Sequence, residues 1–369
     1  MPRILHAADL HLSDADRDYG LSVLTELIAA GHREKADYLV FCGDLFDTFA
    51  DAEKLRADFR RILGTPPFEF LFLPGNHEGL RRAEGELRRL DFGAATLLDS
   101  APFSLLRRDR GGCRLEFLAV PHQDDYSGYG NWEVPPKDAT WRIAIAHGVV
   151  AGMSYRGPEE ESGGAALDPD LFIRHRADYA ALGHIHGRRT LAAGGTRFAY
   201  PGSTRVWRKR EFGPRGAFLI DFPRDRPIGA TMLPDPVFLP FASAGEYRHQ
   251  VIPLTLEGGI PESDGFAQTW GAADYVELEF TGLVEDERAA FQAVDALRER
   301  FSGRFRVLRL EKDGVAALPG ISCQPIVRKF LDAWNARMPA AEDAPARAVW
   351  LRSRELALNS LKIALERVA

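Results

Sequence analysis

Asp9 and His11 stand two residues apart where the apolar run ILHAADLH ends. On an extended backbone that spacing puts both side chains on one side, where they could grip a cation. An Asp-x-His pair alone says little, because such pairs arise often by chance. Its weight comes from its company. Gly43-Asp44 ends a second apolar run, YLVFC, with Asp47 three residues further on, and Gly75-Asn76-His77-Glu78 ends a third. His147 closes IAIAH just before Gly148, and Gly183-His184-Ile185-His186 repeats the same-side pair. Five of the ten histidines thus fall at the ends of apolar runs, each beside a glycine or an acidic or amide neighbour. Oxygen and nitrogen donors without sulfur suit Mn²⁺, Fe²⁺ or Zn²⁺ in five- or six-coordination better than a closed structural zinc site, which favours cysteine.

These residues are far apart in the chain, so the elements between them must bring them together. From the start to about residue 225 short apolar runs that read as buried strands alternate with helical segments, such as the apolar face Leu21, Val23, Leu24, Leu27 and Ile28 and a second helix over about 53–63. In layered α/β folds ligands sit beyond the carboxyl ends of the strands, which is where every one of these polar clusters falls. Gln123 to Lys137 and Gly152 to Asp170 read as surface loops framing that edge. GAFLIDF closes the unit as a strand, and PRDRPIGATMLPDPVFLP reads as a link. A smaller α+β unit follows over 245–315, with strands YVELEF and FRVLRLEK around the amphipathic helix DERAAFQAVDALRERF. Two helical segments occupy 320–369. On the last, Trp350, Ala357, Leu361, Ala364 and Val368 fall on one side, a stripe for packing on its own domain or for docking a partner helix.

Composition narrows the classes. With 369 residues, 45% hydrophobic and 27% charged, the chain reads as a globular protein of two or three units. It has no apolar stretch long enough for a membrane span, and its start lacks the pattern of a secretion signal. Three widely spaced cysteines, Cys42, Cys113 and Cys323, fit a reducing cytoplasm, with Cys42 a buried strand residue. A net charge of −6 argues against coating nucleic acid by bulk charge. Any DNA contact is expected to be local, from Arg107, Arg108 and Arg110 or, closer to the last motif, from the run Arg205, Trp207, Arg208, Lys209, Arg210 to Arg215.

The order Asp-x-His, Gly-Asp-x-x-Asp, Gly-Asn-His-Glu, Gly-His-x-His resembles the calcineurin-like metallophosphoesterase superfamily over roughly residues 3 to 203. Within it, HAADLHL, GDLFD and YPGS resemble the SbcD-type DNA repair exonucleases. The resemblance implies a four-layer αββα sandwich over 1–225, a small α+β cap that contacts DNA, and C-terminal helices. It implies that Asp9, His11, Asp44 and His186 hold one divalent ion and that Asp44, Asn76, His147 and His184 hold the other, Asp44 bridging. Two divalent ions, less two aspartates and a bridging hydroxide, leave a charge near +1 for a phosphodiester. Ions about 3.5 to 4 Å apart would activate that water and clamp the phosphoryl oxygens. His77 resembles the family's non-ligand histidine, placed to give a proton to the leaving oxygen, with Asp47 to orient it and Glu78 behind it.

The leading expectation is a Mn²⁺-dependent DNA nuclease, exonuclease or endonuclease, that works with an SbcC-type, SMC-like ATPase in DNA repair and recombination. Affinity for DNA would come from that partner or from a homodimer. Two alternatives stay open: a phosphodiesterase acting on small molecules, and a scaffold subunit with a decayed site. The phosphoprotein phosphatases of the superfamily place Arg-Gly after the second motif, where this chain has Thr48-Phe49.

Overall fold

A computed structural model describes residues 1–79, 87–123, 126–153, 166–224, 232–260, 267–318, 324–337 and 344–367. The chain divides into two units, Met1–Glu246 and Tyr247–Ala369.

In the first unit the strands Arg3–Ala7 (β1), Tyr38–Cys42 (β2), Glu69–Leu73 (β3), Ala95–Leu97 (β4), Gly216–Asp221 (β13) and Val237–Pro240 (β14) form one sheet in the order β14-β13-β1-β2-β3-β4. A second sheet takes Ser104–Arg110 (β5), Cys113–Val120 (β6), Trp141–His147 (β7), Tyr179–Gly183 (β10), Arg189–Ala193 (β11) and Thr196–Tyr200 (β12), in the order β11-β12-β10-β7-β6-β5. The central strands of each sheet are parallel; antiparallel partners close both edges of the second sheet and the β14 edge of the first, whose other edge strand, β4, is parallel to β3. Val149–Val150 (β8) and Ala166–Leu167 (β9) make a short separate ladder.

Strand alternation sorts the side chains into layers. In β2, Tyr38, Val40 and Cys42 face the opposing sheet, joined by Ile4, Leu71, Ile143, Ile145 and Tyr179. Leu39 and Phe41 face the other way, onto Arg17–Arg33 (α1) and Phe49–Leu63 (α2) through Leu24, Leu27, Leu55 and Phe59. Ala144, Ala146 and Leu182 of the second sheet turn outward against Leu171 and Phe172 of Pro169–Arg174 (α4). The result is helix, sheet, sheet, helix, as the resemblance implied. Each fully buried Leu, Ile or Phe in these layers contributes roughly 1.5–3 kcal/mol. The one-turn helix Asn76–Gly79 (α3) follows β3 directly.

The link expected after Phe222 is in part a strand: β14 pairs antiparallel with β13, Leu219 opposite Val237. Its flanking prolines suggest a linker, but proline is tolerated at a sheet edge, which is where β14 lies. Most of the loop expected over 152–170 falls outside the described residues, as does Cys323; Cys42 is buried between the sheets.

In the second unit Tyr247–Pro253 (β15), Tyr275–Val284 (β16) and Val307–Ala317 (β17) form a parallel sheet, and Glu287–Arg300 (α5) crosses between β16 and β17. Asp286 caps α5 by accepting from the amides of Arg288 and Ala289. Ala290, Val294 and Leu297 of α5 cover Leu278 and Phe280. Pro325–Asn335 (α6) and Ala344–Glu366 (α7) pack on Leu256 and Leu283 through Val327 and Leu358. The described part of the stripe expected on the last helix is not its buried side: Trp350, Ala357 and Leu361 are only half-buried, Ala364 is exposed, and Leu358 carries the packing, while Val368 lies outside the described residues. No helix among the described residues is long and apolar enough to cross a membrane.

Candidate metal centre

Every predicted ligand leaves the carboxyl end of a strand in the first unit. The spacing argument for Asp9 and His11 needs correcting, however. Their backbone is not extended: φ is 54° at Asp9 and 47° at His11, and Asp44 (52°) and His184 (95°) are also left-handed. For residues with side chains this conformation costs about 1–3 kcal/mol each, and it persists where the surroundings over-determine it. Here the loops are laced together, Asp9 N to Gly43 O at 3.0 Å, His11 N to Asp44 O at 2.9 Å, and Asp47 N to Leu12 O at 3.0 Å. The tight turns re-aim each ligand inward, which plain strand alternation would not do.

Two glycines of the motifs are needed for clearance. A Cβ on Gly43 would lie 2.1 Å from His147 Nδ1, and one on Gly75 would lie 2.1 Å from Asp44 Oδ1. Only a residue without a side chain lets this imidazole and this carboxylate come so close.

The donors converge in two groups. In the first, Asp9, His11 and His186 have ligand atoms within 4.8 Å of one another, with His11 Nε2 3.3 Å from His186 Nε2. In the second, Asp44, His147 and His184 are gathered on the same scale. There Asn76 Oδ1 lies 2.8 Å from His147 Nε2 and 3.0 Å from His184 Nδ1, and Asp44 Oδ2 lies 3.2 Å from His147 Nε2. Asp44 also belongs with His11 and His77 in a third cluster, which places it between the two groups.

The proton positions follow from the partners. His147 Nδ1–H donates to Cys42 O at 2.8 Å, and His186 Nδ1–H donates to Glu211. Each then presents a lone pair at Nε2, the form that binds a metal. Asp44 Oδ2 is buried and accepts no hydrogen bond among the described residues. A buried carboxylate oxygen that faces imidazole nitrogens and an amide oxygen, with a second buried carboxylate in the neighbouring cluster, is a donor set that suits cations, so the residues fit a pair of divalent ions.

The electrostatics agree. Burial pushes the Asp9 carboxyl up to about 7 against the pull of His186 and His147. Burial, with the nearby Asp44 charge, pushes Glu78 up to about 8, although it accepts from the amides of Asp44, Phe46 and Gly75. Burial lowers His184 to about 3 and holds His11 well below its ordinary value. His147 is the exception: burial works to lower it, but the charge and hydrogen bonding of Asp44, with the Asp9 charge and the Cys42 carbonyl, together outweigh burial and raise it to about 9. The same attraction holds Asp44 far below the usual carboxylate range despite its burial.

All nine predicted site residues therefore meet in one place, with differences in detail. His77 Nδ1–H donates to the backbone carbonyl of Asp47 at 2.8 Å, so the main chain rather than the carboxylate of Asp47 orients it. The Asp47 carboxylate stands nearer His11, with Oδ1 3.3 Å from Nδ1. Glu78 ties three loop amides together behind the site. Sequence reasoning missed Glu211, which burial would raise but which the His186 imidazole holds at about 2. It also missed His122, whose ring centroid is 6.3 Å from that of His147. No spacing pattern marks either residue.

The arginine stretches need the larger correction. Arg107, Arg108 and Arg110 pair with Glu116, Glu69 and Asp37. They lie toward the amino ends of the parallel strands, since Arg110 is opposite Cys113 at the start of β6, away from the metal centre. Arg205 is buried, donating to Leu10 O, His11 O and Asp16. Arg215 is buried too, and donates to His186 O at 2.7 Å. Both are internal struts of the centre rather than a surface for phosphates.

Residues 2–188, just over half of the chain, match the calcineurin-like phosphoesterase family. An uncharacterized metallophosphoesterase of Bacillus subtilis, YhaO, is 27% identical over 243 residues, covering 58% of this chain and 56% of that protein. The DNA double-strand break repair protein Mre11 of Saccharolobus solfataricus is 27% identical over 254 residues, covering 63% of each. The match thus spans less than two thirds of these relatives. A dimetal phosphatase from Danio rerio shares 11% identity with a TM-score of 0.43, over 59% of this chain and 91% of that one. The family match over residues 2–188 shows that the chain, with its two sheets and its Asp, Asn and His donors, belongs to the calcineurin-like phosphoesterase family.

Proposed function

We propose that the protein is a two-metal DNA nuclease of the SbcD type, using Mn²⁺ with Fe²⁺ or Zn²⁺ as substitutes, in which Asp9, His11, Asp44 and His186 hold one ion and Asp44, Asn76, His147 and His184 the other. The observation that carries this reading is the sharing of Asp44 between converging donor sets. Similarity to a protein named for DNA double-strand break repair favours DNA as substrate. When bound, the ions supply the charge that activates water and stabilises the phosphoryl oxygens. The chain's own residues do the rest. Asp44 keeps its charge in the buried centre, Asn76 presents its amide oxygen, and Glu78 and Arg205 hold the loops. With Nδ1–H engaged by the Asp47 carbonyl, a protonated His77 carries a second N–H at Nε2, available to give to a leaving oxygen.

The terminal helices are proposed to dock an SbcC-type ATPase. Val349, Leu356 and Ile363 on α7 are 67%, 53% and 51% exposed, and they recur at seven-residue intervals. A heptad line of exposed apolar side chains suits a partner's coiled coil. Purified protein loaded with Mn²⁺ should cut single- or double-stranded DNA. Rapid hydrolysis of small phosphodiesters with DNA left intact would replace the nuclease by a small-molecule enzyme, and uptake of less than one ion per chain would make it a scaffold.

A further inference from the structure

The loop after β12 carries an aromatic side chain against the metal centre. The Trp207 indole is stacked on the imidazole of His11, ring centroids 3.9 Å apart and planes 8° from parallel. It meets His77 edge-on at 5.5 Å and His186 at 5.4 Å. The Arg208 guanidinium lies 4.4 Å from the indole centroid. One carboxylate fixes this arrangement: Glu211 Oε2 accepts from Trp207 N at 2.7 Å and from Arg208 N at 3.3 Å, while Oε1 accepts from His186 Nδ1.

His11 differs from His147 and His186 in how its ring is held. The second ring nitrogen of a metal-binding histidine ordinarily donates to a carboxylate or carbonyl, which sets ring orientation. His147 has Cys42 O for this purpose, and His186 has Glu211. His11 Nδ1 is buried without a hydrogen bond among the described residues, and the Asp47 oxygen 3.3 Å away is also without one. What lies flat against the His11 ring is Trp207.

We propose that Trp207 is a positioning residue for the first ion: its stack fixes the rotation of His11, so that Nε2 points to the place it shares with Asp9 and His186. This rests on the two-metal reading. Loss of the indole frees the His11 ring and weakens the first position, while the second, built from Asp44, Asn76, His147 and His184, keeps its affinity. Because a flat aromatic face is what the stack requires, Trp207→Phe restores most of the loss.

Titration of Mn²⁺ into the metal-free full chain, followed by calorimetry and by the free-ion resonance signal, tests this. Wild type should take up two ions, and Trp207→Ala should bind one of them about 10- to 100-fold more weakly. Trp207→Phe should stay close to wild type. Mn²⁺ should also quench part of the wild-type indole emission, and that part should be missing from Trp207→Phe. Two unchanged affinities in a folded Trp207→Ala protein would overturn the proposal. So would equal Mn²⁺ quenching in wild type and Trp207→Phe, a comparison that decides the matter even where the alanine variant fails to fold. Uptake of fewer than two ions by wild type would instead remove the two-metal reading, and this inference with it.

Discussion

The two arginine-rich stretches have similar composition and different roles. Arg107, Arg108 and Arg110 lie on an edge strand with side chains about a third to a half exposed; Arg108 and Arg110 are balanced by the partly exposed carboxylates of Glu69 and Asp37, and Arg107 by the buried Glu116. Arg205, 1% exposed, has drawn its whole guanidinium into the protein to hold two carbonyls of the Asp9–His11 loop and the Asp16 carboxylate. A basic residue's role is thus set by which strand end it follows, not by the company of other basic residues. Near the carboxyl edge of the sheets positive charge supports the centre from behind. At the other end Arg108 and Arg110 are paired surface, worth about 0–1 kcal/mol per ion pair.

The largest effect should come from the centre itself. Asp44→Asn removes the charge shared by both donor sets, and Mn²⁺-dependent phosphodiester cleavage should fall to background with the fold preserved; a variant that keeps cleaving would separate Asp44 from the chemistry. Next is Arg205→Met, which leaves buried carbonyls without donors at roughly 1–3 kcal/mol each. Denaturant unfolding should show a loss of a few kcal/mol, together with weaker Mn²⁺ uptake, and a stability equal to wild type would make Arg205 ordinary surface.

A smaller effect concerns pH in the metal-free protein. Above the ordinary histidine value of about 6.5, the low-shifted His11 and His184 are neutral folded or unfolded and contribute nothing to pH dependence. Asp9, Glu78 and His147 hold protons to about 7, 8 and 9 in the folded state, where the unfolded chain has released them. Folded protein binds more protons across this window, so stability should decline as pH rises from 6.5 to 9. Thermal melts of chelator-treated protein check this, and Mn²⁺ should flatten the slope. The smallest effect is Arg108→Ala, which should change unfolding free energy by no more than about 1 kcal/mol and leave cleavage as it was.

The convergence of the candidate ligands was legible because each ends an apolar run that reads as a buried strand, and strand ends gather at one edge of such a fold. Asp9, Asp44, His147 and His184 needed no more than that. Glu211 and the stack of Trp207 on His11 were not legible, because a contact made by a loop has no period and the partner lies far along the chain. β14 was hidden by prolines that an edge position tolerates. The last helix misled for another reason: it is apolar on more than one side, with Leu358 buried and Val349, Leu356 and Ile363 exposed. Periodicity alone does not choose between such faces, since tertiary packing does.

Pairing between β1 and β13 sets Ile4 beside Ile220. The first strand of the unit therefore waits for nearly its last before the sheet can close. Contacts so distant in the chain form late and slowly. His186, Arg205 and Glu211 arrive within the same final stretch. The donor cluster is consequently incomplete in a half-made chain, and its residues gather only once the unit is finished.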